Sequence, residues 1–401
     1  MGVIGIFAAL FGLMFLAYRG FNVLFLAPLM ALVACLFHPD VPILASYTQV
    51  FMPALGQYLL QYFPIFALGA IFGRMMNDSG AAYSIAKMVS AKLGPKHAVL
   101  AVVLSCALLT YGGVSLFVVA FTIYPIALQL FKDANLPRRF IPGSIALGSF
   151  TFTMTALPGT PAIQNAIPMP VFGTNAFAAP VLGVVASAIM LLCGLVWLNR
   201  RAQAAAGEVD DSFSFKEMQV PVAYPSLGLA LLPLLTVLVL NYIFANFIFK
   251  GMPAEYLALS TYGSTSLDKV IGLWSLITAL AISLFLSLIF FKKYLSQFQQ
   301  TINEGTYGSM LPILNTASEV GFGATIASLS SFKSIQAAVL GIMPEYPLVS
   351  LSVAVNALAG ITGSASGGLS IALKALGTQY VEMANAAGVP LEYMHRVASV
   401  A

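Results

Sequence analysis

The sequence predicts an all-α, polytopic membrane protein made of two inverted repeats, each with a re-entrant hairpin and an interrupted transmembrane helix. Three observations predict this fold class. The 401 residues are 59% hydrophobic and 8% charged, whereas about a quarter of the residues in a soluble domain are charged. Two long apolar segments are each broken by a glycine-rich stretch. Short sequence features recur about 250 residues apart, which indicates an internal repeat.

The two broken segments are residues 98–131 and 347–380, which carry the stretches TYGGVS and ITGSASGG near their middles. A straight helix of about 34 residues would be about 51 Å long, against a hydrocarbon core of about 30 Å. Divided at the glycines, each arm measures about 20 Å and is too short to cross. We therefore predict that both segments are re-entrant hairpins whose tips lie inside the membrane.

The repeat is visible in single residues. Gly113 and Gly363 have the same spacing as Gly73 and Gly323. The span in the first half is broken by LPGTP at residues 157–161. Its counterpart about 250 residues later would fall beyond the last residue, so we expect the second repeat to be incomplete at its C-terminal end.

These features divide the chain into three parts. We predict a first inverted repeat over residues 1–198 (hairpin 98–131, interrupted span 141–166), a linker over residues 199–225, and a second inverted repeat over residues 226–401 (hairpin 347–380).

Charge predicts the orientation in the membrane. If the linker is cytoplasmic and the hairpins do not cross, most of the 18 lysines and arginines face the cytoplasm, as the positive-inside rule requires. The N-terminus then lies outside, and the two hairpins enter from opposite faces. The basic residues predicted to lie outside are Lys250, Lys269, Lys333, Lys374 and Arg396.

The two hairpin tips and the interrupted spans are expected to meet near the middle of the membrane. Helix ends at this depth expose N–H groups that attract a carboxylate, and glycines allow close approach. Such broken helices are typical of secondary transporters, although each of these small residues is also compatible with plain helix packing. The candidate substrate-binding residues are Thr110, Gly112, Gly113, Ser115, Thr155, Gly159, Thr160, Gln164, Asn165, Thr362, Gly363, Ser364 and Ser366.

Glu319 is the candidate for proton coupling, because it lies within the apolar span at residues 305–326 and an ionisable group at that depth is usually functional. A hydrogen-bonded, inert carboxylate is the alternative. We interpret Asp78 as the cap of the following helix and His395 as a solvated loop residue. No Arg or Lys is placed in the site elements, which favours a small hydroxylated anion.

Several classes are disfavoured. HExxH and GxSxG motifs are absent from the sequence, so we do not expect an enzyme. The three cysteines lack the spacing of a metal site, and we expect neither a metal nor a cofactor. The basic residues do not form one cluster, which argues against nucleic acid as a partner.

The segments FPIFALGAIFG (residues 63–73), DSGAA (78–82) and LPGTP (157–161) resemble the gluconate permease (GntP) family of the ion transporter superfamily. The resemblance covers most of the chain and is strongest over residues 60–170. It implies a bacterial inner-membrane, proton-coupled symporter of gluconate-like sugar acids. The opening LAYRGF (16–21) resembles a subgroup that takes 3-hydroxybutyrate-like acids. The implied fold is a homodimer in which a scaffold domain holds a mobile, elevator-type transport domain with both hairpins.

Two alternatives stay open. Sodium-coupled di- or tricarboxylate carriers of the same superfamily carry Ser-Asn-Thr at their hairpin tips, which this chain lacks; the difference favours protons over sodium as the coupling ion. A channel would use the two re-entrant segments as a selectivity filter. The expected partners are a small organic anion, the lipid bilayer and a second copy of the chain.

Overall fold

The computed structural model describes residues 2–114, 116–206, 223–295, 297–362 and 364–401. In these ranges the regular secondary structure is helical, with no β-strand. The predicted linker at residues 199–225 lies mostly outside the described residues. Residues 199–204 of the predicted linker form the end of a long helix, Pro180–Ala204.

The described residues form nineteen α-helices. Those of the first half are α1 (Gly2–Tyr18), α2 (Val23–Leu36), α3 (Ile43–Ser46), α4 (Met52–Asp78), α5 (Ala81–Leu93), α6 (Ala98–Tyr111), α7 (Leu116–Asp133), α8 (Ile141–Ser149), α9 (Phe152–Thr155), α10 (Ile163–Ala166), α11 (Pro168–Phe172) and α12 (Pro180–Ala204). Those of the second half are α13 (Leu227–Ile243), α14 (Leu267–Phe291), α15 (Phe298–Ser328), α16 (Phe332–Leu340), α17 (Pro347–Thr362), α18 (Ala365–Ala386) and α19 (Leu391–Val400). Single π-helical turns follow α3 and α13, and short 3-10 turns join several of the other helices.

Four continuous helical stretches in the described residues are long and apolar enough to cross a membrane: Ile43–Asp78, Pro180–Ala204, Leu227–Gly251 and Leu267–Tyr294. A fifth span results if α5 and the segment through α6 are counted together, although the chain bends by 104° between them. Large apolar side chains cover the outer faces of these helices, as lipid contact requires. The chain is therefore a multi-pass membrane protein.

The order of elements repeats along the chain. Helices α4 to α8 begin at residues 52, 81, 98, 116 and 141, and helices α15 to α19 begin at residues 298, 332, 347, 365 and 391. Each helix thus starts about 250 residues before its counterpart, the same spacing that single residues show. The predicted inversion of one half relative to the other stays a prediction.

The first predicted hairpin is broken at its glycines. Helix α6 ends in a Schellman cap, in which the Val114 N–H donates to the Leu109 carbonyl and the Gly113 N–H to the Thr110 carbonyl, each at 3.0 Å. Gly113 has φ +97°, a conformation that favours glycine. Helix α7 begins two residues after Val114. The predicted break is present, and the depth of this tip in the membrane stays a prediction.

The second predicted hairpin consists of α17 and α18. Ser364 caps α18, because its side-chain oxygen accepts a hydrogen bond of 3.1 Å from the Gly367 N–H. Gly368 lies directly against the preceding helix: a Cβ atom there would be 2.2 Å from the Ala359 Cα atom. Glycine at this position lets the two helices pack in backbone contact.

Helices α4 and α15, which correspond to each other in the repeat, pack along each other at the centre of the molecule. Their close approach depends on Gly305, whose Cβ atom would lie 2.7 Å from the Ile71 Cα atom. At one end, the Arg74 Nε atom lies 2.8 Å from Asp78, which also accepts a 2.8 Å hydrogen bond from Thr301. The interpretation of Asp78 as a helix cap is wrong: Asp78 ties α4 to α15, and α5 begins without a side-chain cap.

Candidate functional site

A cavity of about 170 Å³ lies where the first broken hairpin meets the interrupted span. We call it the tip cavity. It is bounded by the α6–α7 tip, by the break before α10 and by the facing sides of α4 and α15. Its lining includes Gly69, Thr110, Gly113, Val114, Gln164 and Ser309. The structure thus brings together the predicted residues Thr110, Gly113 and Gln164, which are separated by up to about 50 residues in the chain.

Two polar side chains of the tip cavity lack partners. Thr110 is 5% exposed and Gln164 is 8% exposed. Among the described residues, neither the Thr110 Oγ1 atom nor the Gln164 Oε1 atom has a hydrogen-bond partner. Buried polar atoms in folded proteins are nearly always satisfied, because an orphan costs about 1–3 kcal/mol. These atoms therefore indicate a place where a ligand or water completes the hydrogen bonding.

The interrupted span is held open by hydrogen bonds to its backbone. Helices α8 and α9 are followed by an irregular segment, residues 156–162, before α10 begins. Gly159 has φ +84°, and its N–H donates to the Ala176 carbonyl at 2.8 Å. The Tyr111 hydroxyl donates to the Pro158 carbonyl at 2.7 Å, which joins the break to the first tip. The predicted interruption of this span is therefore present.

Asn165, on α10 just after this break, holds the break in place through hydrogen bonds. Its side chain is fully buried, and its amide group donates to the carbonyls of Thr160 and Ala176, each at 3.0 Å. Its oxygen accepts from Arg396 at 3.0 Å. The neighbouring predicted residues Thr155 and Gly159 stand beside the tip cavity without lining it. Of this group, Thr160 has a buried hydroxyl without a partner in the described part of the chain.

Arg396, on α19, is the residue of this region that sequence reasoning missed. It was counted among the basic residues on the outer side of the membrane, and its side chain is fully buried in the protein. Its guanidinium group donates to the Thr155 carbonyl at 3.1 Å, to the Ala176 carbonyl at 3.2 Å and to the Ala178 carbonyl at 2.8 Å. Arg396 therefore contacts the interrupted span from α19, although the predicted site elements themselves contain no Arg or Lys. Carbonyl dipoles and the Asn165 amide, rather than a carboxylate among the described residues, stabilise this charge.

His395 is also misplaced by the sequence prediction. It is fully buried, and its ring nitrogens contact the Thr174 hydroxyl at 2.5 Å and the Asn165 side-chain oxygen at 3.1 Å. The interpretation as a solvated loop residue is wrong. The signal that could have found both residues is the repeat itself, since α19 corresponds to α8, a helix packed in the core.

Glu319 lies at the second tip. Its side chain is 3% exposed, and the Ser364 hydroxyl is within hydrogen-bonding reach of its carboxyl group. The carboxyl group presses against Gly367 so closely that no side chain fits there. Among the described residues, its Oε2 atom has no hydrogen-bond partner. The carboxyl group therefore faces the first turn of α18, whose N–H groups carry partial positive charge.

Hydroxyl groups surround this carboxyl group. The Tyr58 hydroxyl lies near Thr316 and Ser370 and close enough to Glu319 to interact with it electrostatically. All four side chains are buried. A buried carboxylate is costly unless a proton or a cation accompanies it, so the arrangement suits a group that binds and releases one.

A second cavity, of about 500 Å³, leads from the surface to this cluster. We call it the lysine cavity. Lys269, from α14, and Lys374, from α18, are exposed at its lining, whereas Tyr58 and Ser370 are buried there. Two positive charges at the mouth of a cleft raise the local concentration of anions.

The remaining predicted residues are distributed as follows. Gly112 caps α6 and packs tightly against Leu234. Ser366 is half-buried on the first turn of α18. Ser115, Gly363 and the side chain of Thr362 lie outside the described residues. In the described ranges, no cluster of three or more His, Cys, Asp or Glu side chains could hold a metal ion.

Broken helices beside cavities that hold buried polar side chains, inside a multi-pass membrane protein, are typical of the class of secondary transporters. A family model described as GntP family permease matches residues 1–372, and the chain belongs to this family. It is also 41% identical, over 418 residues, to a protein described as uncharacterized transporter YxjC of Bacillus subtilis (strain 168); the match covers 100% of this chain and 88% of that relative. The family recognised in the sequence is confirmed, and the protein is a transporter rather than an enzyme.

Proposed function

We propose that the protein is a secondary active symporter that couples the uptake of a small hydroxylated monocarboxylate to protons, in the inner membrane of a bacterium. The substrate class is a gluconate-like sugar acid or a 3-hydroxybutyrate-like acid. The observation that carries this proposal is the tip cavity. There the Thr110 Oγ1 and Gln164 Oε1 atoms, which have no hydrogen-bond partner among the described residues, share the lining with Gly113 of the first tip.

The size of the tip cavity supports a small substrate. Its volume of about 170 Å³ is below the range of about 300–1,000 Å³ that drug-sized ligands occupy. The Thr110 hydroxyl and the Gln164 amide group can form hydrogen bonds with the carboxylate as well as with the hydroxyl groups of a hydroxy acid.

Glu319 is our candidate for the coupling group. Its carboxyl group is buried at the second tip, beside hydroxyl groups and without a basic partner among the described residues. A proton taken up on one side of the membrane would neutralise this buried carboxyl group, and its release on the other side would couple transport to the proton gradient. The lysine cavity gives this cluster a path to the surface.

A sodium-coupled di- or tricarboxylate carrier is the second candidate. The carboxyl group of Glu319 lies near the hydroxyl groups of Ser364 and Tyr58, and hard cations bind oxygen ligands. The tip sequences, which lack Ser-Asn-Thr, favour protons.

Uptake into proteoliposomes tests the proposal. We expect labelled gluconate or 3-hydroxybutyrate to accumulate under an inward proton gradient with no sodium present. Accumulation of a di- or tricarboxylate that strictly requires sodium would establish the second candidate instead. Single-channel currents without saturable exchange of substrate would establish a channel.

The homodimer, the scaffold and transport domains and the elevator movement belong to the same proposal. Their support is the family membership of the chain and the large apolar area on its outer helices. Cross-linking in native membranes should trap a dimer. Full activity of a monomeric protein in nanodiscs would show that transport does not require a dimer.

A further inference from the structure

A third cavity, of about 410 Å³, lies at the C-terminal end of α12. We call it the arginine cavity. It shares no lining residue with the tip cavity or the lysine cavity, and its volume is in the range of about 300–1,000 Å³ that is usual for ligand pockets. The lining consists of two arginines, two aromatic residues and two alanines: Arg139, Phe140, Trp197, Arg201, Ala204 and Ala205.

Close packing of two helices brings the two arginines together. Arg139 belongs to the 3-10 turn directly before α8, and Arg201 lies in the last turn of α12. A Cβ atom at Gly194, on α12, would lie 2.4 Å from the Leu147 side chain on α8, so glycine permits this close approach of the helices. The fold thus places guanidinium groups from two segments that are distant in the chain at one cavity.

The arginine cavity lies at the level expected for lipid headgroups. Helix α12 is long and apolar enough to span the membrane, and the exposed large apolar side chains along it end with Trp197, which is 59% exposed. Tryptophan is enriched at the membrane–water interface. Arg201 follows four residues later, about 6 Å further along the helix axis, and is exposed like Arg139.

Each guanidinium group lies against an aromatic ring. The Arg201 Cζ atom is 5.7 Å from the centroid of the Trp197 ring, and the Arg139 Cζ atom is 5.4 Å from that of Phe140. Such contacts favour a defined position of the side chain, and the planar donors of arginine match the oxygens of a phosphate group. In the described part of the chain, Arg201 forms no ion pair. Basic pockets between membrane helices are typical sites for anionic headgroups.

We infer that the arginine cavity binds the phosphodiester group of an anionic phospholipid of the phosphatidylglycerol type. Arg139 and Arg201 donate hydrogen bonds to the phosphate oxygens, and the acyl chains lie along the apolar outer face of α12. This inference goes beyond the proposed function. It depends neither on the substrate nor on the coupling ion, because its test measures lipid binding and not transport.

Lipid titration of the purified full-length protein in detergent, followed by the unfolding temperature, tests the inference. We expect phosphatidylglycerol to stabilise the wild type, whereas phosphatidylcholine, whose headgroup has no net charge, should not. Arg139→Gln and Arg201→Gln should each weaken binding of phosphatidylglycerol about fivefold, since one basic residue near anionic lipid contributes about 1 kcal/mol. Two control variants should bind this lipid as the wild type does. Arg200→Gln changes the neighbour of Arg201 that does not line the cavity, and Arg19→Gln changes an arginine 5.0 Å from another aromatic ring, at the end of α1.

The inference is overturned if the wild type binds phosphatidylglycerol no better than phosphatidylcholine, or if the two control variants weaken binding as much as the two cavity variants do. Equal stabilisation by glycerol 1-phosphate, which has no acyl chains, would identify a soluble phosphate ligand and contradict a lipid. Should one cavity variant fail to insert, the other decides, because each arginine is expected to contribute separately.

Discussion

At the scale of single residues, the site is defined by polar atoms that the fold leaves without partners. Thr110 and Gln164 were recognisable in the sequence because polar side chains inside apolar segments are costly. Arg396 and His395 were not, because their burial depends on α19 packing against the interrupted span, more than 200 residues earlier. His395 and Arg396 follow a hydrophilic turn, and their local sequence is equally compatible with an exposed loop.

Replacing Thr110 with valine removes one hydroxyl from the tip cavity at almost constant volume. A hydrogen bond to a charged group contributes about 1.5–3 kcal/mol, so we expect the substrate affinity to fall about 10- to 100-fold in a binding titration. Thr236→Val is the matched control, since the Thr236 hydroxyl bonds within α13, outside the cavity. Equal affinities in the two variants would show that Thr110 does not contact the substrate.

Glu319→Gln should separate transport from the proton gradient. The glutamine amide cannot take up and release a proton at physiological pH. We therefore expect substrate exchange to continue while proton-driven accumulation is lost. Uptake by the variant should no longer rise as the external pH falls. Glu304→Gln is the control on the same helix, because Glu304 pairs with Arg74 near the surface. A wild-type pH profile in Glu319→Gln would show that Glu319 is not the proton-coupling group.

At the scale of elements, the breaks matter more than the helices. The glycine-rich stretches predicted both tips, because only a residue that tolerates φ > 0 can end α6 as Gly113 does. The sequence could not predict which elements contact each break. The second tip contacts Glu319 of α15, and the first tip shares the tip cavity with Gly69 of α4. Both arrangements depend on contacts between helices that are far apart in the chain.

Gly113→Leu should abolish uptake while the protein still inserts. Its Cβ atom would lie 3.1 Å from Pro161 at the edge of the tip cavity, and a left-handed conformation costs a non-glycine residue about 1–2 kcal/mol. Gly263→Leu controls for the strain alone, because Gly263 has φ +82° and no atom within 4 Å of a Cβ position. Normal uptake by the Gly113 variant would show that the first tip is not part of the substrate-binding site.

Arg396 joins α19 to the interrupted span. In Arg396→Met the Thr155, Ala176 and Ala178 carbonyls lose donors, and each carbonyl left unsatisfied costs about 1–3 kcal/mol. We expect a clearly lower unfolding temperature in detergent. Arg396→Lys keeps the charge but not the planar fork of donors, so it should restore stability only in part. Unchanged stability in Arg396→Met would mean that α19 does not depend on this contact.

At the scale of the whole molecule, two copies of one helix order form a single unit around α4 and α15. The sequence was sufficient for this repeat and for the membrane class, because hydropathy and glycine spacing are local features. The orientation of the two halves in the membrane depends on the bilayer, and it stays a prediction based on the distribution of charge.

Accessibility in intact cells tests that orientation. In a variant without the three native cysteines, Ala206→Cys at the end of the first half should react with a membrane-impermeant reagent only after lysis. Gly263→Cys, in the loop before α14, should react in intact cells. The reverse pattern would place the N-terminus in the cytoplasm and contradict the assigned topology.

The central claim is that the substrate carboxylate binds in the tip cavity, between Gly69, Thr110 and Gln164. Cryo-electron microscopy of the full-length protein with saturating gluconate or 3-hydroxybutyrate tests it most directly. We predict density for the acid in this cavity, with its carboxylate beside Thr110 and Gln164. Substrate density confined to the lysine cavity or beside Glu319, with the tip cavity empty, would contradict the account.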